Sequence, residues 1–566
     1  MSAPYAGIVT AGLRPELFAD SVFSRLTGQW LIVMLTVLAL AGFCFRAAGL
    51  SAEGLSEDEL NKLNAVADYR AHGLTAINSE HPLLMKALQT GTIVAAEQWN
   101  AMEAVAARSE GLSVPVETAL RLPSALFGAL TLILIYLVAV ELFGAEVALL
   151  AAALWAFDPA AISFNRIAKE DTFLLFFFLL ANVFWLRGQR VAESQPEKNP
   201  ERYYWATGAA FGAMMASKYL PHFIAISVSY YWIFQGIPAV RWRLGRPRFA
   251  LLLAIAGVVF LLCNPTILLP ETWRQMLAFA GQKRVGHDGY EFLGTLYPHR
   301  MTGWLKGVPW YFYYVFMGVK LPLATLAAFL VGLPLLFRRR LGDGRYFLLF
   351  WMLFWLPFTL LGGKFTRYFT TALPIVLITA ALGAQFIAQY LAARLASRQS
   401  RAFVRAGIVL SIAIFPVWSA VSASPHYRLY TNWLGGGSSR AGTYFPHDEF
   451  YDAGMRQAMA DIADHARSGA RVASETPGLA EFYARQAGRA DLIFVSLSEQ
   501  TALRDLSAGD FLLVARGRRY FSNDELVTRL SGAAAPTLRA FVGSVPAVDV
   551  YELDEKLLAV AIPTAR

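Results

Sequence analysis

The stretch from residue 51 to residue 86 carries the residues best suited to chemistry in the N-terminal half of the chain. Three consecutive carboxylates precede a His-Pro pair and a lysine, namely Glu57, Asp58, Glu59, His81, Pro82 and Lys86. A carboxylate in a water-poor pocket at a membrane surface can accept a hydroxyl proton as a general base, and burial would raise its pKa toward a useful range. Asp58 is the candidate for this role, and its two neighbours are expected to point elsewhere. The alternative is that these carboxylates only begin a helix, whose N-terminus favours negative charge.

A second acidic candidate, Asp171, lies at the start of an apolar run and follows Arg166, Lys169 and Glu170. Ionisable residues at membrane depth are costly and are often functional. The alternative is that Asp171 caps a helix while the neighbouring cations extend toward the membrane interface.

A third group is basic and is interspersed among later apolar runs: Lys218, His287, Lys320, Lys364 and Arg367. A phosphate ligand would explain these cations, because Arg can bind two oxygens and Lys supplies a point charge. Anchoring to anionic lipid headgroups is the alternative. A further cluster, His447, Asp448, Glu449 and Asp452, contains ligand types that suit a divalent cation. Consecutive residues seldom all point at one ion, so no metal is expected to be required.

The elements that position these residues are membrane helices. The 566 residues are 56% apolar and 14% aromatic, and the mean hydropathy is +0.43. Apolar runs close to the roughly 20 residues needed to cross a bilayer recur through residue 423. This pattern predicts a polytopic helical membrane protein and excludes a soluble enzyme. The two cysteines, Cys44 and Cys263, lie in apolar runs and exclude a disulfide framework. The net charge of +9 comes with no nucleic-acid motif, and basic loops account for it.

Eleven transmembrane helices are expected, at about 28–48, 118–142, 145–163, 171–187, 203–217, 219–236, 248–268, 310–337, 346–362, 367–391 and 404–423. The loops at 187–202, 241–248, 338–345 and 394–405 are rich in Arg and Lys, which marks the cytoplasmic side. This topology predicts a cytoplasmic N-terminus at 1–27 and a transmembrane domain at 28–423, whose first outer loop is 51–117. The candidate carboxylates and cations then share the outer side, which suggests a lipid-linked phosphate substrate.

The chain after residue 423 has a different composition. Strand-like RVAS, DLIFVSLS, DFLLVARG and VDVYELD alternate with helix-like PGLAEFYARQAG and NDELVTRL. Residues 424–566 are therefore predicted to form an extracytoplasmic α/β domain, and it lacks a Gly-rich phosphate loop.

Several motifs carry a resemblance to a known family. SEDELNKL with EHPLLMKAL, RLPSALFGALTLILIYLVAVELFG with FNRIAKEDTFLLFF, and GHDGYEFLG, GVKLP, GGKFTRYFTTALP and LYTNWLGGG occur in that order. Across residues 28–440 the chain resembles the GT-C polyprenyl-phosphate-sugar-dependent glycosyltransferases of family 39. These include the protein O-mannosyltransferases and the lipid A aminoarabinose transferases. Leu83 stands where a second proline is common in the family.

The resemblance implies a GT-C-like fold, with Asp58 as the catalytic acid of the first loop and Asp171 as the second acidic position. It also implies that a basic residue near Lys364–Arg367 contacts the donor phosphate, and Lys218 is expected to join it. Further substrate-pocket candidates are Glu59, His81, Lys86, Arg166, His287 and Tyr368.

The expected function is inverting transfer of a sugar from a polyprenyl-phosphate carrier to a hydroxyl on the extracytoplasmic side of a bacterial inner membrane. Mannose is the sugar suggested by family frequency, and the acceptor is a protein, lipid or glycan. A transporter or flippase of a lipid-linked sugar is one alternative, and a catalytically silent receptor is another.

Overall fold

The computed structural model describes residues 28–106, 110–195, 197–220, 223–224, 226–227, 245–281, 287–300, 303–338, 341 and 344–562. The predicted cytoplasmic N-terminus and most of the predicted helix at 219–236 lie outside the described residues. So do Arg241, Arg243, Arg339 and Arg340 of the predicted basic loops.

Helices dominate the chain up to residue 423. In chain order they are α1 Gly28–Ala47, α2 Glu57–His72, α3 Leu84–Asn100, α4 Glu103–Ala106, α5 Val116–Phe143, α6 Ala145–Phe157, α7 Pro159–Asn165, α8 Glu170–Ser194, α9 Glu201–Met215, α10 Gly245–Cys263, α11 Pro270–Gly281, α12 Phe312–Lys320, α13 Leu323–Leu335, α14 Gly344–Trp355, α15 Pro357–Leu360, α16 Leu373–Ala392 and α17 Arg398–Ala423. Short 3₁₀ turns lie at Glu110–Leu112, Pro265–Leu268 and Thr366–Thr371, and a hairpin pairs β1 Gly289–Phe292 with β2 Thr295–Pro298.

Among the described residues, five helices are long and apolar enough to cross a membrane: α1, α5, α8, α16 and α17. The pair α6–α7 makes a sixth span if it is counted as one bent helix. Shorter apolar helices, α10, α13 and α14–α15, account for others of the eleven predicted helices. The chain is therefore a multi-pass membrane protein.

Prolines break two of the predicted helices. The predicted helix at 310–337 is two helices, α12 and α13, because Pro322 lacks an N–H and disfavours a helical conformation at the residue before it. The predicted helix at 145–163 bends by 61° between α6 and α7, where Asp158 caps α7 and Pro159 begins it.

Close helix packing holds the membrane part together. A Cβ atom on Gly332 of α13 would lie 2.0 Å from the Thr379 carbonyl oxygen, and one on Gly383 of α16 would lie 1.9 Å from that of Ala328. Small residues let helix backbones approach in this way inside a membrane. Outer helices expose apolar side chains, such as Leu262 of α10 and Trp418 of α17, as expected for surfaces that contact lipid.

The C-terminal part is an α/β domain, as predicted. Its elements are α18 Pro446–Phe450, α19 Met455–His465, β3 Arg471–Ser474, α20 Pro477–Gln486, β4 Ile493–Ser496, α21 Gln500–Leu503, β5 Phe511–Ala515, α22 Asp524–Ala533, β6 Leu538–Val542, β7 Val545–Glu552 and α23 Glu555–Ala561. The sheet order is β4-β3-β5-β7-β6, with β3 parallel to β4 and β5 and with β7 antiparallel to β5 and β6. Every strand and helix predicted for this region is present, and the additions are β6, α18, α19, α21 and α23.

Candidate active site

Asp58 lies in the first turn of α2, and that turn is fixed by a capping box. The Ser56 hydroxyl accepts a hydrogen bond from the Glu59 amide at 3.2 Å, and the Glu59 carboxylate accepts one from the Ser56 amide at 3.0 Å. The expectation that three carboxylates begin a helix is therefore met. The same turn also directs Asp58 toward cations from distant parts of the chain.

Three side chains converge on one carboxylate oxygen, Oδ2 of Asp58. Lys169 Nζ lies at 2.5 Å, the Tyr451 hydroxyl donates at 3.2 Å, and Arg367 Nη2 lies at 3.8 Å. Lys169 comes from the loop before α8, Arg367 from the turn at Thr366–Thr371, and Tyr451 from the segment after α18. The Asp58 side chain is still 39% exposed, so a substrate can reach it.

The pKa of Asp58 runs against the expectation from sequence. Burial raises it, but the charges of Lys169, Arg367 and Lys62 outweigh burial and hold the pKa well below its usual range. The predicted upward shift was therefore wrong, because the charges of the surrounding cations outweigh the effect of burial. Asp58 is ionised at every physiological pH.

The second acidic candidate also meets a cation. Lys218 Nζ lies 2.5 Å from Asp171 Oδ1 and 4.8 Å from the centre of the Tyr368 ring. Asp171 Oδ2 is buried without a hydrogen bond. The predicted residues Asp171, Lys218 and Tyr368 are thus neighbours, and they continue the charged surface that begins at Asp58.

Glu170 interacts with the lysines of both ion pairs, Lys169 and Lys218. Its Oε1 lies 3.2 Å from Lys62 Nζ and 3.7 Å from His81 Nδ1. Burial lowers the pKa of His81 to about 3, against the opposing charge of Glu170, so this imidazole is neutral at physiological pH. The structure therefore brings the predicted residue His81 to the edge of the charged cluster.

Arg367 has an unused donor. Its guanidinium packs 3.9 Å from the centre of the Phe365 ring and lies between two carboxylates, Asp58 and Asp448. Nη1 is buried and has no hydrogen-bond partner among the described residues, although Asp448 Oδ1 is 3.7 Å away. A buried guanidinium N–H without an acceptor is costly, and a bound anion would satisfy it.

A cleft opens beside Arg367. It lies between α7, α12, the turn at Thr366–Thr371 and the segment from Tyr427 to Tyr451. Its ionisable lining includes Lys320, Arg367, Arg428, Asp448, Glu449 and Tyr451, and Phe164, Phe316 and Phe445 are among its apolar residues. Arg367 and Tyr451 each contact both this cleft and Asp58, so the cleft adjoins the catalytic candidate.

Two of the predicted pocket residues, Glu59 and Arg166, form hydrogen bonds with other parts of the protein. Glu59 accepts two hydrogen bonds from Arg121, at 2.8 and 2.6 Å, and is fully buried. Arg166 donates to carbonyl oxygens at the end of α1, including those of Ala48 at 2.6 Å and Gly49 at 2.7 Å. These contacts fix the segment between α1 and α5 to the membrane helices.

Two predicted lysines also turn away from Asp58. Lys86 Nζ donates to the carbonyl oxygens of Asn78 at 2.7 Å and His81 at 3.0 Å. Lys364 Nζ donates to the Val308 carbonyl at 2.5 Å and to the Leu361 carbonyl. The structure therefore does not bring Lys364 together with Arg367 and Asp58.

His287 contacts the C-terminal domain. Its ring stacks on Tyr520 with centroids 4.0 Å apart, and its Nε2 accepts a hydrogen bond from Arg518 Nη1 at 2.8 Å. Glu57, the neighbour of Asp58, lies 3.7 Å from the same nitrogen. His287 therefore contacts Glu57, the residue before Asp58.

The carboxylates of the possible metal cluster contact protein groups. Asp448 accepts hydrogen bonds from the Tyr290 hydroxyl at 2.5 Å and the Thr366 amide at 2.8 Å. The His447 ring packs edge-on against Tyr290 and Phe365. Within the described ranges no group of three or more His, Cys, Asp or Glu residues is arranged to hold a metal ion.

Sequence reasoning passed over two residues that touch Asp58. Lys169 was read as part of a helix start, and its position two residues before Asp171 was the available signal. Tyr451 carried no signal, because its contact with Asp58 joins residues 393 positions apart.

Comparison with known proteins agrees with the resemblance in the motifs. Residues 110–268 match the family described as dolichyl-phosphate-mannose-protein mannosyltransferase. No curated protein sequence matches the chain.

Solved structures share the fold at low sequence identity. The apo structure of ArnT from Cupriavidus metallidurans has a TM-score of 0.51 at 15% identity, covering 95% of this chain and 99% of that one. The same protein bound to undecaprenyl phosphate scores 0.49 at 14% identity, covering 95% and 100%. The Archaeoglobus fulgidus oligosaccharyltransferase tethered to an acceptor peptide scores 0.50 at 12% identity, covering 87% and 70%. The chain therefore has the GT-C fold, and within residues 110–268 it matches the dolichyl-phosphate-mannose-protein mannosyltransferase family.

Proposed function

We propose that this chain is an integral-membrane glycosyltransferase that moves a sugar, with inversion, from a polyprenyl-phosphate carrier to a hydroxyl acceptor. The observation that carries the proposal is the ionised Asp58, which is accessible and is faced by Lys169 and Arg367. The segment of the chain that matches the mannosyltransferase family, residues 110–268, contains Lys169, Asp171 and Lys218. Such a site offers a proton acceptor beside groups that stabilise a phosphate.

The reaction needs one proton acceptor and no general acid. The acceptor oxygen forms a bond to the anomeric carbon while the bond from that carbon to the phosphate oxygen breaks. The hydroxyl proton passes to the Asp58 carboxylate, and the bonding electrons leave with the polyprenyl phosphate. Attack opposite the phosphate inverts the anomeric centre.

Cations preorganised around the leaving phosphate lower the barrier, as in other electrostatic sites. Arg367 is best placed, because its buried Nη1 has no hydrogen-bond partner. Lys218 lies beside Asp171, and Lys169 lies beside Asp58. Lys364, also predicted for this role, would have to give up two carbonyl acceptors to take part. We propose that no metal is required, because these cations already supply the positive charge.

Donor binding would also activate the base. With Lys169 at 2.5 Å, Asp58 has a depressed pKa and accepts a proton poorly. The donor phosphodiester carries one negative charge, and this anion competes with Asp58 for Lys169 and Arg367 and so weakens their hold on the carboxylate. The pKa of Asp58 then rises toward the range useful to a general base.

The family match supports our proposal for the sugar and its carrier. A polyprenyl-phosphate-linked mannose is the proposed donor, and the acceptor is a protein, lipid or glycan hydroxyl. We place the reaction on the extracytoplasmic face of a bacterial inner membrane, on the side opposite the basic loops.

Radiolabelled donor separates this proposal from its alternatives. Full-length protein in liposomes is given polyprenyl-phosphate [³H]mannose and, in separate reactions, Ser/Thr peptides, a lipid and a glycan. Transfer of label to an acceptor is the expected result. Movement of the intact donor between leaflets without transfer would indicate a flippase, and neither outcome would indicate a receptor, so both contradict the proposal.

A further inference from the structure

Tyr451 reaches Asp58 from an unusual backbone. Tyr451 has φ 48° and Asp452 has φ 63°, so two consecutive residues other than glycine adopt the left-handed conformation. Such conformations are costly for residues with a Cβ and persist only where surrounding contacts enforce them. Both side chains are buried.

The C-terminal domain supplies the contacts that hold this segment. Arg518, three residues after β5, donates from Nε to Asp452 Oδ1 at 2.6 Å and forms a second bond from Nη2 to Oδ2. Two parallel bonds between a guanidinium and a carboxylate fix distance and orientation together.

The same carboxylate attaches to the helix that carries Asp58. Asp452 Oδ2 accepts a hydrogen bond from the Glu57 amide at 2.9 Å, and this amide is one of the unpaired donors at the start of α2. Arg518 Nη1 also contacts Glu57 Oε2 at 2.9 Å. The Arg518–Asp452 pair therefore joins the C-terminal domain to the start of α2.

We propose that Tyr451 is a positioning residue for Asp58, and that Arg518 of the C-terminal domain holds Tyr451 in place through Asp452. The inference rests on the proposed function, in which Asp58 is the base. Tyr451 donates to Asp58 Oδ2, the oxygen that Lys169 also contacts. When the donor phosphate draws Lys169 away, the Tyr451 hydroxyl keeps that oxygen oriented, and the other oxygen stays free to take the proton.

Two arginines hold the ring of Tyr451 in place. Arg428 lies 5.3 Å and Arg367 lies 6.0 Å from its centroid, so the phenol packs against two guanidinium groups. Replacing Tyr451 by Phe removes the hydroxyl and leaves this packing intact. The variant therefore removes the contacts of the hydroxyl with Asp58 and Ser56 and keeps the ring.

Several groups set the charge state of Asp58, and a test must account for them. From α2 itself they are Glu57 and Lys62, and from other elements they are His81, Lys169, Arg367, Tyr368 and Tyr451. A hydrogen bond to a carboxylate favours its ionised form, so losing the Tyr451 hydroxyl raises the pKa of Asp58.

The first experiment needs no substrate. A water-soluble carbodiimide modifies protonated carboxyl groups, and the fraction of Asp58 modified at each pH is read by peptide mass spectrometry on the full-length protein in detergent. The labelling midpoint should move to higher pH in Y451F and in R518A. It should not move in R539A, which removes a surface ion pair with Asp549 in the same domain.

The second experiment uses sugar transfer from polyprenyl-phosphate mannose. Y451F should lower kcat by on the order of tenfold to a hundredfold, the range for a hydrogen bond to a charged group, with KM for the donor unchanged. R518A should act in the same direction, and R518K should recover part of the loss because it keeps the charge. A purely structural role would lower the amount of folded protein and leave kcat and the labelling midpoint unchanged.

The two proposals fail separately. If the wild-type protein transfers sugar but Y451F has wild-type kcat and an unmoved labelling midpoint, the positioning role is wrong and the proposed function stands. If the midpoint moves in Y451F but the wild-type protein transfers no sugar, the proposed function is wrong. The contact between the C-terminal domain and Asp58 would then still control that carboxylate.

Discussion

Asp58 is an ionised group among cations, and this decides how it can act. Its accessible carboxylate contacts Lys169 and Tyr451. Lys62 and Arg367 add further positive charge. A carboxylate held this way does not store a proton at rest, so it can only take one during turnover.

Replacing Asp58 by Asn should remove the proton acceptor while keeping the shape of the side chain. We expect kcat to fall by roughly 10²–10⁴-fold, the range for general acid–base catalysis, while donor binding is kept. Transfer rates and donor-binding isotherms measure the two effects. The control is D68N on the same helix, where Asp68 contacts Thr75 and His72. A D58N protein as active as D68N would remove the base assignment.

Arg367 should act on the donor. Replacing it by Gln removes the charge and the unpaired Nη1 donor, so KM for the donor should rise by about 10–100-fold, as for a lost charge-assisted hydrogen bond. Lys218→Gln should act in the same direction. Arg274→Gln, which removes a 74% exposed cation of α11, is the matched control. Equal donor affinity in all three variants would contradict the phosphate-binding role.

The pKa of Lys169 predicts how activity changes with pH. Burial lowers its pKa to about 8, against the opposing charge of Asp58. Lys169 is therefore charged below about pH 8 and loses its charge as the pH rises through that value. If its charge supports catalysis, kcat/KM falls on the alkaline side near pH 8. Arg stays charged, so K169R should move this fall to higher pH, and an identical profile in the two proteins would exclude Lys169 from the reaction.

At the level of elements, the close packing of α13 against α16 offers a test of the membrane fold. Gly383→Ala places a Cβ 1.9 Å from the Ala328 carbonyl oxygen, so the helices must separate. We expect a loss of about 1–3 kcal/mol of stability, as for overpacking, measured as a lower melting temperature of the solubilised protein. Gly407→Ala on α17 meets nothing within 4 Å and should be neutral.

The sequence predicted elements better than contacts. Apolar runs located the described membrane helices and the alternation of strands and helices in the C-terminal domain, because both depend on local periodicity. The break at Pro322 was missed, because the apolar run continues through it. A contact of Asp58 with a cation far along the chain was also predicted, and Arg367 makes it. The side of the membrane on which these groups lie stays a prediction from loop charge.

The remaining site geometry depends on distant contacts that no local pattern encodes. Lys364 was predicted to meet a phosphate, but it lies where two carbonyl oxygens accept its hydrogen bonds. Glu59 was a pocket candidate, but both of its carboxylate oxygens accept hydrogen bonds from Arg121. Arg518 lies 461 positions from Glu57, and only the folded domain brings them together.

At the level of the whole molecule, a buried ion pair ties the C-terminal segment to the membrane part. Lys320, at the end of α12, pairs with Glu449 of α18. Glu449 also accepts hydrogen bonds from the amides of Tyr444 at 3.2 Å and Phe445 at 2.8 Å. The contact places both residues beside the cleft, so docking of the segment shapes that cleft.

Lys320→Met should leave a buried carboxylate without its cation. We expect a loss of about 3–5 kcal/mol of stability, the range for a broken buried pair. In the double variant K320M/E449Q the amide still accepts the two backbone hydrogen bonds, so most of the loss should be recovered. Thermal unfolding of the three proteins measures the effect. Equal melting temperatures for K320M and the wild-type protein would show that the pair does not hold the segment.

The hydrogen bond between Tyr451 and Asp58 spans 393 positions of sequence, and this has a consequence for biosynthesis. Asp58 leaves the ribosome early, whereas Tyr451 follows the last membrane helix, α17. A nascent chain that has not yet reached residue 451 therefore lacks this hydrogen bond to Asp58. Under the proposed function such a chain lacks the residue that positions the base, so full activity is expected only after Tyr451 has been made and has packed against Asp58.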